Sequence, residues 1–270
     1  MAIVNFSAFM KIATWNVNSI RTRLNHVTDW LTDHQVDVLC LQETKVVDKD
    51  FPEAAIKAAG YQAYVSGQKS YNGVALLSQQ SLTEVSNGFT PILGESAVGD
   101  LDAQKRLLTG MLGDVRIINL YVPNGSAINS EKYDYKMRWL TVLKAYLEKL
   151  LVDHELLLVC GDFNIALEDR DIHNPEGKET HIMSSPKERE MLSDVLSIGL
   201  KDAFRKFHQD GGHFSWWDYR AASFRRNLGW RIDHHYLSPK LYDRAQSCMI
   251  DTEPRGLEKP SDHTPVIVEI

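Results

Sequence analysis

Six apolar runs of this 270-residue chain end on polar groups that can do chemistry. They deliver Asn16 (IATWN), Glu43 (LCLQE), Tyr121 (INLY), Asp162 (LLVCGD), Asp233 (WRID) and the pair Asp262-His263 ahead of TPVIV. A single carboxylate after a strand means little. Six endings that offer carboxylate, carboxamide, phenol and imidazole can meet along one rim of a sheet assembly. Oxygen donors suit a hard divalent cation that keeps several of its waters, and imidazole and carboxamide suit the oxygens of a phosphate ester.

GDFN is the strongest local signal. Asp162 and Asn164 lie two residues apart after a fully apolar strand, so an extended chain points both to one side. Asp162 is then suited to deprotonate a water or hold a metal, and Asn164 to donate to a phosphate oxygen. The plain alternative for an isolated GDxN is an Asx turn that caps the strand end. His263 can hydrogen-bond a phosphoryl oxygen if a carboxylate holds its other ring nitrogen, and Asp233 is the candidate. A lone histidine is more often a satisfied structural residue; the joint pattern shifts the balance toward a site.

These residues need elements to carry them, and the hydrophobic pattern supplies an alternation of strands and helices. Strands are expected at residues 11–16, 36–42, 61–65, 73–78, 106–112, 115–121, 156–160, 213–219, 230–238 and 264–270. A Gly113-Asp114 turn joins two of them as a hairpin. Helical spacing appears at residues 24–34, 51–59 and 129–151, the last with Met137, Leu140, Leu143, Leu147 and Leu150 on one face. Ser185, Pro186 and Glu188 form a helix start with N-cap, proline and capping box, and Gly199 stops that helix. Residues 169–185 form a polar loop with His173 and His181, long enough to suggest a function.

Composition bounds the rest. Hydrophobic content of 43% and charged content of 24% are ordinary for a globular protein, so no long stretch is expected to be disordered. No linker divides the chain, which favours one domain over residues 1–270, with residues 1–10 as an N-terminal extension and Met10 as an alternative start. MAIVNFSAF lacks the charge and cleavage site of a signal peptide. No apolar run nears the ~20 residues of a membrane helix. Cys40, Cys160 and Cys248 read as core residues in a reducing compartment, and the expected location is cytoplasmic. A net charge of −6 counts against nucleic acid as a partner, yet residues 220–231 carry Arg220, Arg225, Arg226 and Arg231 with no acidic residue.

Together TWNVNSIR, LQETK, NLYVPNG, GDFNIA, FSWWDYR, GWRIDHHYLS and KPSDHTPV resemble the exonuclease III family of abasic-site endonucleases, within the superfamily of metal-dependent endonucleases, exonucleases and phosphatases. The resemblance runs from about Lys11 to Ile270 in the family's order. It implies a four-layered α/β sandwich, two mixed sheets face to face with helices outside. The implied reaction is hydrolysis of phosphodiesters 5′ of abasic sites, with 3′–5′ exonuclease and 3′-end cleaning. It would use Mg²⁺ or Mn²⁺ held chiefly by Glu43, helped by Asn16 and Asp262.

In that scheme Asp162 aligns and deprotonates the attacking water; protonating the leaving group, or a second metal site with Asn164 and His263, are the alternatives. Tyr121, Asn164 and His263 contact the scissile phosphate, with Asp233 orienting His263; Asn124 and Lys45 are further candidates. Asn18 stands where many relatives carry Asp, so it is left out of the ligand set. The resemblance also maps Trp216, Trp230 and Ile232 onto a pocket for a flipped-out baseless sugar, against the plain reading that they are core. Arg220, Arg225 and Arg226 become phosphate contacts. The expected partner is double-stranded DNA, bound by a monomer without a membrane. Two other readings stand beside this one: a phosphatase or phospholipase of the same superfamily, and a DNA-binding module without catalysis.

Overall fold

The structure, a computed structural model, describes residues 9–270. The readings of MAIVNFSAF as no signal peptide and of residues 1–10 as an extension lie, apart from Phe9 and Met10, outside the described residues. Met10 is already docked, exchanging backbone hydrogen bonds with Ile270.

Among the described residues the strands form two six-stranded sheets. The strands are β1 (Lys11–Asn16), β2 (Val38–Gln42), β3 (Gln62–Ser66), β4 (Val74–Ser78), β5 (Thr83–Asn87), β6 (Leu107–Leu112), β7 (Val115–Tyr121), β8 (Leu157–Asp162), β9 (Lys201–Asp202), β10 (Asp233–Leu237), β11 (Ser247–Ile250) and β12 (Val266–Glu269). One sheet has the order β11-β12-β1-β2-β4-β3, the other β5-β6-β7-β8-β10-β9. Each sheet holds one parallel pair, β1–β2 and β7–β8, among antiparallel ones. The helices are α1 (Ile20–His34), α2 (Glu53–Ala58), α3 (Thr90–Leu93), α4 (Glu95–Val98), α5 (Glu131–Asp153), α6 (Pro186–Leu196), α7 (Ala203–Phe207) and α8 (Pro239–Arg244).

Three apolar clusters make the layers. Ile12, Val38, Cys40 and Leu76 of the first sheet pack on Leu108, Ile117, Leu158 and Cys160 of the second. The outer face of the second sheet, with Ile118, Leu157, Val159 and Tyr236, is covered by Leu140, Leu143 and Leu147 of α5 and Leu192 of α6. The outer face of the first, with Ala13, Leu39 and Leu77, is covered by Val27 and Leu31 of α1 and Ile56 of α2. The α/β sandwich of four layers is therefore as expected. It explains why β2, β4 and β8 are apolar without alternation, since both faces of each are covered.

A polar tie at Asn119 crosses the buried interface between the sheets, where His235 Nε2 of β10 also lies 2.9 Å from the Val266 carbonyl of β12. Buried Asn119 of β7 donates from Nδ2 to the carbonyls of Leu41 and Ala75, both at 2.9 Å. Its Oδ1 accepts from Gln42 Nε2 at 2.7 Å. A buried amide is costly unless its hydrogen bonds are made, so this set admits one sliding position of β7 over β2 and β4.

Several expectations are corrected. Residues 213–219 form no strand. Trp216 alone makes isolated bridges, to Trp230 and to His263, because this segment shares its backbone groups between two neighbours, Ser215 N to Trp230 O and Trp217 N to Asp262 O. The strand expected over 230–238 shortens to Asp233–Leu237. Helix α1 begins at Ile20 rather than residue 24, since buried Ile20 joins the apolar cluster beneath it.

Gly161 permits the approach that delivers Asp162. Its φ is +143°, and a Cβ there would lie 1.9 Å from the Leu120 carbonyl oxygen on the adjacent strand. Gly161→Ala should destabilise the protein by about 3 kcal/mol or more, as read from urea denaturation. A midpoint equal to that of the wild type would contradict this placement.

Candidate active site

The rim forms where β1, β2, β7 and β8 end and where β10 and the approach to β12 begin. Parallel registers set Asn16 beside Gln42 and Tyr121 beside Asp162, and the antiparallel register sets Asp233 opposite Asp162. Ser261 fixes the remaining segment by donating from Oγ to Asn16 O at 2.7 Å and accepting from His263 N at 3.2 Å.

Asp162 is the centre, only 1% exposed. Its Oδ2 accepts from Asn16 Nδ2 at 2.9 Å and Asn164 Nδ2 at 3.2 Å, and its Oδ1 from the Asn164 backbone N–H at 2.9 Å. His263 Nε2 lies 3.7 Å from Oδ2. On its other side His263 Nδ1 lies 2.9 Å from Asp233 Oδ2. Ser215 Oγ donates to the same Asp233 oxygen at 2.6 Å and accepts from the Ile232 and Asp233 backbone N–H groups, which fixes the carboxylate that orients the ring.

Burial sets the proton positions. Alone it would keep the His263 imidazole neutral, but Asp233 and Asp162 flank it and raise its pKa to about 10. The flanking carboxylates therefore favour the imidazolium form of His263. Burial lifts the Asp162 carboxyl to about 7, with Asp233 and Glu43 adding to the rise and His263 and Asn16 opposing it. A carboxyl near neutrality exchanges protons readily at working pH. Burial, then Glu43 and Asp162, push the Tyr121 hydroxyl well above the usual phenol range, so it stays protonated and can donate.

Glu43 is a partly buried carboxylate beside this centre. Burial opposes its ionisation, yet Lys45 and the Asn16 amide outweigh it and hold the carboxyl below its usual range. Lys45 Nζ bridges Glu43 Oε2 at 2.7 Å and Asn18 Oδ1 at 2.5 Å. Asn18 in turn donates to Asp262 Oδ1 at 3.0 Å. An ammonium seated among these oxygens shows that the corner's donor set favours a cation, and all-oxygen donors fit a hard divalent ion. Asn16 turns its NH2 to Glu43 Oε1 and its oxygen to the Asn18 backbone N–H, so here it orients Glu43 more directly than it offers a ligand.

The other expected groups divide. Asp162, Asp233 and His263 place ligand atoms within 4.8 Å of one another. Of the second metal site expected from Asp162, Asn164 and His263, the Asn164 oxygen accepts from Asn124 Nδ2 at 2.9 Å and His263 Nε2 lies 3.7 Å from Asp162 Oδ2. Tyr121 and Asn124 line a cleft of about 630 Å³ with Tyr71, Arg106 and Tyr135. The Arg106 guanidinium lies over the Tyr121 ring at 4.6 Å.

Trp216 is half-buried, donates to Asp262 Oδ2 at 3.0 Å and meets Trp230 edge-on at 6.4 Å. Trp230 and Ile232 are buried against Ile172 and Met183, so Trp216 is the more open of the three. Arg220 is exposed but doubly paired with Asp218, and Arg225 and Arg226 are exposed nearby. Arg231 does not belong to the basic strip. It is 1% exposed and ion-paired to Asp171 and Asp202, both at 2.7 Å.

Two site residues, Ser215 and Lys136, were not foreseen, and a third, Asn18, was left out of the ligand set. Ser215 and Lys136 act through distant partners, and Asn18 is the hub between Lys45 and Asp262. A lysine on the apolar face of α5 was the available signal for Lys136. Backbone strain also marks the rim, since Asn18, Ser19, Glu43, Lys45 and Asn164 all have positive φ.

Residues 13–263 match the sequence model of the Endonuclease/Exonuclease/phosphatase family. The chain is 36% identical to Exodeoxyribonuclease III of Haemophilus influenzae, over 96% of this chain and 99% of that protein. It superposes with a TM-score of 0.91 on the 3′ phosphatase NExo from Neisseria bound to product DNA hairpin, 40% identical over 97% of this chain and 99% of that one. An AP endonuclease from Archaeoglobus fulgidus gives a TM-score of 0.90 at 39% identity, over 96% and 98% of the two chains.

A histidine whose pKa is raised on folding adds stability below its unfolded value near about 6.5 and loses it as pH climbs through the folded value. In EDTA the melting temperature should therefore fall between pH 7 and pH 10, and His263→Gln should flatten that fall. Equal slopes in both proteins would contradict the charge assigned to His263.

Proposed function

The chain belongs to the Endonuclease/Exonuclease/phosphatase family, and from that premise we propose that it is a metal-dependent DNA repair nuclease. It hydrolyses phosphodiesters of duplex DNA 5′ of abasic sites, degrades 3′ ends exonucleolytically and clears 3′ blocking groups. The observation that carries this reading is Asp162, a buried carboxylate gripped by Asn16 and Asn164 and facing the His263 ring.

Glu43, with Asp262, Asn16 and Asn18 around it, would hold Mg²⁺ or Mn²⁺, which when bound supplies Lewis-acid polarisation of the phosphate. Asp162 aligns the attacking water and takes its proton. His263 donates to a phosphoryl oxygen while Asp233 keeps the ring charged and oriented, and the Tyr121 hydroxyl donates from the opposite side of Asp162. Asn164 works mainly through Asp162, since its N–H groups are spent on that carboxylate and on Val122 O. Arg220, Arg225 and Arg226 meet backbone phosphates and Trp216, backed by Trp230 and Ile232, meets the baseless sugar. The named activities of the relatives support DNA as substrate over inositol or lipid phosphates.

One observation favours a second emphasis, toward 3′ ends. The His181 ring lies 6.2 Å from Trp230, so the loop at residues 172–185 crowds the side of the site where an extruded sugar would enter. The three buried free cysteines support a reducing, cytoplasmic setting. Among the described residues no helix is long and apolar enough to cross a membrane.

A labelled duplex with one abasic analogue should be nicked 5′ of the lesion and shortened from its 3′ end, both blocked by EDTA. Release of phosphate from inositol phosphates without DNA cleavage would overturn the reading. Glu43→Ala and Asp162→Asn should each lower the DNA rates by about 10²-fold or more. Replacing His173 and His181 by glycine should raise internal incision relative to exonuclease, and an unchanged ratio removes the role given to that loop.

A further inference from the structure

We propose that Lys136, with Glu188 as its counter-ion, is a positioning residue that holds Asn164 and Asn124 in register beneath Asp162. The inference rests on the nuclease reading and names a residue pair that touches neither DNA nor metal.

Lys136 lies on α5 between Tyr133 and Leu140, on the face that packs against the second sheet, and both Lys136 and Glu188 are completely buried. An apolar side chain would fill that place with less cost than an ammonium taken out of water. All three N–H groups of the ammonium are used: Asn164 O at 2.8 Å, Asn124 O at 3.2 Å and Glu188 Oε1 at 2.5 Å. Two of the three are the carbonyls of residues whose carboxamides meet each other at 2.9 Å, and one of those carboxamides also holds Asp162. Asn164 has φ +49°, a left-handed backbone that asparagine adopts more readily than most residues, and the Lys136 ammonium holds its carbonyl from below.

Glu188 extends the linkage. Its Oε2 accepts from Ser185 N at 3.1 Å and Ser185 Oγ at 2.6 Å as the capping box of α6. Its Oε1 also accepts from Met183 N at 3.0 Å. Met183 belongs to the apolar cluster with Trp230 and Ile232. One ion pair therefore joins the loop that borders the tryptophans to the backbone that aims Asn164.

The test is steady-state kinetics of 3′-end removal on a labelled duplex, with wild type in parallel and melting curves for every variant. Lys136→Met combined with Glu188→Gln removes both charges without leaving a lone buried carboxylate. It should lower kcat by about tenfold or more, as expected when reacting groups are misplaced by a fraction of an ångström, while KM stays within about threefold. Lys136→Gln in the same Glu188→Gln background keeps a donor for one loop carbonyl and should recover part of the lost kcat. A folded Met variant with wild-type kcat, or Met and Gln variants equally impaired, would overturn the proposal and leave the pair a purely structural one. If the Met variant does not fold, the Gln variant decides: wild-type kcat, or a loss seen only in KM, overturns it. A wild type that cleaves no DNA would instead defeat the nuclease reading itself.

Discussion

Everything at the rim depends on placing Asp162 at the seam between two sheets, where burial and hydrogen bonding pull its proton affinity in opposite directions. Water is excluded from the carboxylate, which raises its pKa, and Asn16 from the other sheet and His263 restrain the rise. That balance exists only if the two sheets meet in one relative position. Asn119, hydrogen-bonded to Gln42, Leu41 and Ala75 across the buried interface, defines that position, and Gly161 lets β8 approach β7 closely enough to deliver the carboxylate.

The same logic orders the charges around it. His263 is costly to bury as a cation, but it lies between Asp233 and Asp162, so the proton it carries is shared by the environment that would otherwise expel it. Deeper in the fold, Lys136–Glu188 and Arg231 with Asp171 and Asp202 repeat the pattern, each buried charge meeting an opposite charge and further hydrogen bonds. Such sets cost more than apolar packing and are directional. They fix loops where hydrophobic contact alone would let them slide, and the loops fixed here carry Asn164, Asn124 and Trp230.

Much of this was legible from the chain because buried strands and amphipathic helices write their environment into their residues. VLCLQ, VALLS and LLVCGD are apolar on both faces, and the α5 stripe and the Ser185–Glu188 capping box hold as read. Strands β5, β9 and β11 carry no such signal, since edge strands pair through backbone while side chains such as those of Thr83 and Glu84 face solvent. Residues 213–219 misled for the opposite reason, aromatic content without a ladder to join. In the site, the carboxylates and His263 could be named from strand endings. Ser215 and Lys136 could not, because their roles lie in contacts with residues far along the chain, and Asn18 was named but set aside because its contacts with Lys45 and Asp262 are equally distant in sequence. Arg231 shows the same limit, a charge that sequence assigns to the surface and two aspartates draw inside.

The account is tested most directly by the protonation of His263 in the folded, metal-free protein. Imidazole nitrogen NMR, with the ring assigned by its loss in His263→Gln, reports each nitrogen's proton from pH 6 to pH 10. Both nitrogens should remain protonated through about pH 9, as a cation held between two buried carboxylates requires. A ring that turns neutral near about pH 6.5, the value of an unperturbed histidine, would contradict the charge balance on which the site is built.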